Sequence, residues 1–300
     1  RKRSKNFNFS FKNKKLFITM VFSAFFLSVI SINLFELKIK SQNFDKYNQI
    51  VFDQLKETKS LQKKYYSELN RKIYFNKSDK LKNILLIGDS HALDNFFTFK
   101  NIEKINKDSN LQFFPLGFGT CFEFEIKENF IRKFLKRILK SYDKNKFCNS
   151  LTNSPKLLDA ISKADKIILS NRWMAETDFQ KILDFFESKT KARLIFINRI
   201  DTYFDPPTLF YKNGLNTNKV AYFKRDKMTL KINDHMGKFL LKKNIAVIDR
   251  SNFFCKDTIK ECIVYKNNKI LFSDADHLTP EGYIYAANKF KNTKLIDLLF

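Results

Sequence analysis

Ser90 stands in Gly88-Asp89-Ser90-His91, directly after the apolar run Asn83-Ile84-Leu85-Leu86-Ile87. A serine hydroxyl is a weak nucleophile until a base takes its proton, and the base needs a group to orient it. The far end of the chain supplies both, in Ser273-Asp274-Ala275-Asp276-His277-Leu278-Thr279-Pro280. Only three histidines are available, His91, His235 and His277. His91 adjoins the serine and is expected to point elsewhere from a helix N-terminus. His235 lies in a Lys-rich, helical and exposed stretch. His277 has Asp274 three residues earlier, close enough in a tight loop to hold its Nδ1–H. Asp276 is the competing partner; adjacent side chains usually diverge, so Asp274 is preferred. A Gly-Asp-Ser tripeptide alone also reads as a turn with an N-cap serine, and it is the distant Asp-x-x-His that points to acyl transfer or ester hydrolysis. Gly88 permits a tight strand-to-helix turn, and Ser90 at a helix start would meet free N–H groups and a dipole that favour an oxyanion.

The elements that must position these residues are legible in the hydrophobic pattern. Short apolar runs fall at 83–88, 111–117, 166–170, 193–198 and 245–249. Helix-like segments lie near 91–106, 127–142, 155–164, 177–190 and 218–243. A last helix opens on Thr279-Pro280-Glu281, an N-cap followed by Pro at N1 and an acid in the first turn. Alternating strands and helices imply an α/β fold, a mostly parallel sheet covered on both faces, with function gathered beyond the C-terminal strand ends.

The N-terminal region reads differently. Residues 1–15 hold seven Lys or Arg and no acid, and residues 16–35 run uncharged for 20 residues, the length of a membrane-spanning helix. The positive-inside rule then places residues 1–15 in the cytoplasm and everything beyond the span outside it. A cleaved signal peptide is the rival, with an apolar stretch too long and no small-residue cleavage site. Residues 36–80 form a polar linker with helically spaced apolar positions from Phe44 to Leu69, and residues 81–300 form the domain. The chain opens on Arg1 rather than Met, which suggests a piece of a longer polypeptide.

Composition excludes other classes. Hydrophobic residues at 44% and 35 phenylalanines support a packed core. The net charge of +25 is spread along the chain with no zinc-finger spacing, aromatic RNA-binding motif or Walker loop, so no nucleic-acid partner is expected. The charge suits an anionic envelope polymer or lipid headgroups.

Gly-Asp-Ser-His after a buried strand, with Asp-x-Asp-His-Leu before the final helix, resembles the SGNH (GDSL-like) hydrolase superfamily. The resemblance implies a three-layer α/β/α sandwich with a flavodoxin-like sheet, and a catalytic triad of Ser90, Asp274 and His277. It also implies a Gly and an Asn in the oxyanion hole. Gly119 is the candidate for the first, with Gly117 as runner-up. Asn171, after the third strand, is the candidate for the second. The family's Gly-x-Asn is absent there, since Ser170 precedes the Asn, and Arg172 is an alternative donor. Ser170-x-Arg172-Trp173, cysteines on either side of the second helix and a Cys pair upstream of Asp-x-Asp-His-Leu resemble one subgroup more closely. These are the SGNH domains at the C-terminus of bacterial acyltransferase family 3 membrane proteins, of the O-antigen and cell-wall O-acetyltransferase type.

That resemblance implies acetyl transfer to an envelope glycan of lipopolysaccharide, capsule or peptidoglycan type. The domain would face the periplasm from the bacterial inner membrane. Its partners would be the bilayer, the glycan acceptor and the membrane acyltransferase domain of the same polypeptide, with acetyl-CoA as ultimate donor through that domain. No cofactor or metal is expected in the domain itself. A membrane-anchored esterase or deacetylase, and a non-catalytic glycan-binding scaffold, are the alternatives. Four cysteines in a domain outside the cytoplasm are expected to pair, as Cys121–Cys148 and Cys255–Cys262. A metal site would need closer pairs and histidine.

Overall fold

A computed structural model describes residues 46–69, 75, 81–117, 121–122, 148, 152–200, 206–207, 209 and 217–299. The expected basic segment 1–15, the span 16–35 and the helix 127–142 lie outside the described residues, and among those described no helix is long and apolar enough to cross a membrane. Up to the middle of the sheet the chain contributes α1 (Lys46–Leu69), β1 (Lys82–Gly88), α2 (Ser90–Lys100), α3 (Glu103–Asp108), β2 (Ser109–Pro115), α4 (Pro155–Lys163) and β3 (Lys166–Ser170). Next come α5 (Phe179–Glu187), β4 (Arg193–Ile197), α6 (Thr217–Phe223), α7 (Lys227–Lys242) and β5 (Ala246–Ile248). The C-terminal part holds α8 (Ser251–Phe254), β6 (Cys255–Lys256), β7 (Glu261–Cys262), β8 (Tyr265–Lys266), β9 (Lys269–Ile270) and α9 (Pro280–Lys291). The boundary between the chain's two compact units falls within α1, between Gln49 and Ile50, and every described strand belongs to the second.

Strands β1 to β5 form one parallel sheet in the order β2-β1-β3-β4-β5. Alternate side chains face opposite layers, as the two-residue period of a strand demands. Ile84, Leu86, Ile168, Ile195, Ile197 and Ile248 meet α2, α3, α8 and α9. Leu85, Ile87, Ile167, Leu169 and Phe196 meet α4, α5 and α7. Burial on both faces is why these strands read as unbroken apolar runs rather than as an alternation. Helix α5 turns a stripe spaced at three and four inward, Phe179, Ile182, Leu183 and Phe186.

Two expected helices are broken where capping chemistry intervenes. The stretch 91–106 ends α2 at Lys100, because the Asn101 side chain turns back to donate to the Phe97 carbonyl at 2.9 Å, and α3 begins at Glu103. The stretch 218–243 divides at Asp226, whose carboxylate accepts the N–H groups of Met228 and Thr229 and so starts α7. The sequence reading also missed two hairpins. In β8–β9, Asn267 and Asn268 both take positive φ (50° and 59°), the conformation of a tight two-residue turn. In β6–β7, Cys255 and Cys262 are directly opposed.

Both expected disulfides are formed, Cys121–Cys148 with Cα atoms 5.3 Å apart and Cys255–Cys262 with 4.0 Å. The loop closed by the first spans 27 residues, and constraining its unfolded ensemble contributes about 3 kcal/mol.

Candidate active site

Strand order reverses between β1 and β3: the chain leaves β1 for β2 on one side and returns to β3 on the other. Clefts in open parallel sheets form at such switch points, outside the C-terminal strand ends. Ser90 and Asn171 follow β1 and β3 directly, so both lie there. At the strand ends Gly88 pairs with Ser170, and a Cβ on Gly88 would lie 1.7 Å from the Ser170 carbonyl oxygen. Only glycine fits this approach.

Asp89 caps α2, its Oδ1 accepting His91 N–H at 2.9 Å, while its Oδ2 accepts Arg172 N–H at 2.8 Å. One carboxylate therefore joins the serine turn to the loop after β3. Asn95 adds a second tie, donating to the Ser170 hydroxyl at 2.7 Å and to the His91 carbonyl at 3.0 Å.

The His277 loop is tied at both ends. Ser273 N–H donates to the His277 carbonyl at 2.9 Å, and Phe272 bridges Leu278. Asp274 Oδ1 accepts the backbone N–H groups of Asp276 and His277. Asp94, one helical turn beyond Ser90 and 1% exposed, accepts Leu278 N–H at 3.1 Å and the Tyr283 hydroxyl at 3.0 Å. The helix that carries the serine thus also clamps the exit of the histidine loop. As a result His277 Nε2 lies 2.7 Å from Ser90 Oγ, and His277 Nδ1 lies 3.0 Å from both carboxylate oxygens of Asp274.

The electrostatics around the ring are strongly anionic. Burial opposes a charge on His277, but the hydrogen bond to Asp274 and the charges of Asp94, Asp274 and Asp276 overcome it and raise its pKa to about 9. Burial likewise opposes ionisation of Asp276, yet contact with His91 and the charges of His91, His277 and Arg172 hold its carboxyl far below the usual range. Asp274 is also lowered, because the hydrogen bond and charge of His277 outweigh its partial burial. Burial pushes Asp94 up, against the pull of His277, Arg250 and His91.

The structure brings Ser90, His277 and Asp274 together as the sequence reading expected. His91 differs from the expectation: its ring lies 5.3 Å from that of His277 and its Nε2 lies 3.4 Å from Asp276 Oδ2. A residue two positions after a helix N-cap still faces the loop that folds over the helix start. Asp276 does not diverge either; its Oδ1 is 3.3 Å from His277 Nδ1. Arg199, in the loop after β4, escaped sequence reasoning altogether and donates to Asp276 Oδ2 at 3.1 Å. His235 is exposed on α7, as expected. Asn171 is fully buried at the end of β3, and Arg172 is exposed, with its Nε 3.8 Å from Asp276. Gly119 lies outside the described residues, and Gly117 is half-buried after β2.

Ligand atoms of His91, Asp276 and His277 come within 4.8 Å of one another. The Arg199 guanidinium already occupies the shared carboxylate oxygen and repels a divalent cation, so this set is an ion-pair cluster.

No curated protein matches the sequence. Among solved structures, the periplasmic domain of the lipopolysaccharide acetyltransferase of Salmonella ser. Paratyphi A superposes with a TM-score of 0.57 at 16% identity, covering 84% of this chain and 100% of that one. A GDSL-like lipase from Bacteroides thetaiotaomicron VPI-5482 matches more loosely, with a TM-score of 0.40 at 11% identity, covering 79% of this chain and 98% of that one. A member of the lipolytic G-D-S-L family from Veillonella parvula DSM 2008 gives 0.35 at 16% identity, covering 70% and 96%. Residues 58–292 match the profile of the SGNH domain that occurs fused to AT3 domains, and the chain belongs to that family.

Proposed function

We propose that the chain transfers an acyl group, acetyl in the simplest case, to a hydroxyl of an envelope glycan through an acyl-enzyme on Ser90. The observation that carries this reading is the unbroken relay from Ser90 Oγ to His277 Nε2 at 2.7 Å and from His277 Nδ1 to Asp274 at 3.0 Å. Neutral His277 takes the hydroxyl proton as Ser90 Oγ attacks the acyl carbonyl. The oxyanion meets the backbone N–H of Ser90, with Gly119 and either Asn171 or Arg172 as further donors. Collapse releases the donor's leaving group with the proton that His277 holds. A sugar hydroxyl, deprotonated in turn by His277, attacks the acyl-enzyme and restores Ser90.

Membership of a family fused to AT3 domains supports a membrane acyltransferase domain as the source of the acyl group, with acetyl-CoA as its ultimate donor. The likeness to a periplasmic acetyltransferase domain and the basic and apolar segments 1–15 and 16–35 support anchoring in the bacterial inner membrane with the domain outside the cytoplasm. Lipopolysaccharide, capsule and peptidoglycan are the acceptor types in view.

The experiment is to incubate the chain with an aryl acetate, with and without glycan, and to compare Ser90→Ala. Release of the aryl alcohol that depends on Ser90, with acetyl recovered on the glycan, is the expected result. Acetate recovered in water alone would instead make the protein an esterase. No turnover above background, together with no labelling by a serine-directed fluorophosphonate, would leave only a glycan-binding scaffold.

A further inference from the structure

The buried aspartate of the Asp-x-Asp-His run is Asp276, not Asp274. Its side chain is 6% exposed, against 56% for Asp274. Its two oxygens have separate neighbours. Oδ2 accepts from Arg199 Nη2 at 3.1 Å and lies 3.4 Å from His91 Nε2. Oδ1 is left facing His277 Nδ1 at 3.3 Å, only slightly farther than the 3.0 Å of Asp274. A second carboxylate therefore stands beside the ring nitrogen whose hydrogen bond goes to Asp274.

Their surroundings divide the work between them. Asp274 accepts two backbone N–H groups as well as the ring N–H, but water reaches it and weakens its field at the imidazole. Asp276 is dry, and Arg199, itself 7% exposed, fixes its orientation from a different element, the loop after β4. A charge held in this way acts on the ring without solvent reorganisation. We infer that Asp276 is a second positioning residue for His277, held beside the Nδ1–H that Asp274 accepts and taking it over, with the productive tautomer, when Asp274 is lost. This deepens the reading of Ser90, His277 and Asp274 as a catalytic relay and rests on it. A mere strut for Arg199 would need no oxygen directed at the imidazole.

The decisive variant is Asp274→Asn, at an exposed position whose change leaves the Asp276–Arg199 pair intact. The low-field proton resonance of His277 Nδ1–H is followed in the full chain with labelled histidine and no substrate. It is expected to persist in Asp274→Asn and to vanish in Asp274→Asn/Asp276→Asn, whose folding a thermal melt checks. Aryl acetate turnover should fall by about 100-fold or less in the single variant. In the double variant it should fall by about 10,000-fold, the loss expected when a triad histidine has no carboxylate to set its tautomer. Loss of the resonance and of the full 10,000-fold in Asp274→Asn alone would overturn the inference. Undiminished turnover in Ser90→Ala would overturn the catalytic relay instead, and the resonance, read without turnover, would still decide the role of Asp276.

Discussion

His277 carries two opposed demands. As a base it must be neutral, yet Asp274, Asp276 and Asp94 all face it and stabilise its charged form. The cations in the cluster, Arg172 and Arg199 beside Asp276 and Arg250 near Asp94, offset that field only in part, with His91 beside Asp276 as the other titratable neighbour. With its pKa raised to about 9, only about one molecule in a hundred holds His277 neutral at pH 7. Turnover of an aryl acetate at low concentration should therefore climb about tenfold per pH unit from pH 6 to 8 and level off above about pH 9. Stability should move the other way. The folded-state pKa lies above the ordinary value of 6.5, so the contribution of charged His277 is complete below pH 6.5 and is lost as pH rises through about 9. Melting temperatures across pH 6 to 9.5 check this, with His277→Gln as the reference that should flatten both slopes. A pH-rate profile with its inflection near 6.5 would contradict the anionic field described here.

At the scale of elements, the site depends on how β1, α2 and the loop after β3 are joined. Backbone pairing brings Gly88 against Ser170, but pairing ends with the strands, and beyond them Asp89 is the bridge. Replacing Asp89 with Ala removes the α2 cap, worth about 1 kcal/mol, and frees Arg172 N–H together with the turn that places Asn171. A small melting loss with a much larger kinetic one is expected. Turnover should drop on the order of 100-fold, since displacement by an ångström in a catalytic loop has that effect. Melting curves beside kcat for Asp89→Ala measure both, and equal activity would show that the loop after β3 holds its place without this carboxylate. The sequence offers Ser90 as the N-cap of this turn, but the cap is Asp89 and Ser90 opens the helix. The second bond of Asp89 is invisible in the sequence, because it joins residues 83 positions apart.

Across the whole molecule, what was legible follows from how each feature is encoded. Strands buried on both faces announce themselves as continuous apolar runs, and a chain with three histidines leaves few choices of base, so the sheet and the Ser90–His277–Asp274 relay could be read directly. Arg199, His91 and Asp276 could not, since their meeting depends on the loop after β4 and the start of α2 arriving at one point from distant positions. The link from α1 to the site has the same hidden character. Gln54, 4% exposed, accepts Ile270 N–H at 3.2 Å through its side-chain oxygen, and Leu55 packs on Tyr265 and Ile270. Ile270 and Leu271 in turn accept the Thr279 hydroxyl and N–H, closing the base of the loop that presents His277. At Gln54 and Leu55, α1 is therefore held against the strand that leads into the His277 loop. Replacing Gln54 with Ala leaves a buried N–H unsatisfied, which costs about 1–3 kcal/mol. If α1 supports that strand, amide hydrogen exchange should quicken at Ile270, Leu271 and Thr279 in Gln54→Ala, while the amides of β3 and β4 stay protected. Unchanged exchange at those three amides would mean that α1 touches the hairpin without steadying the loop.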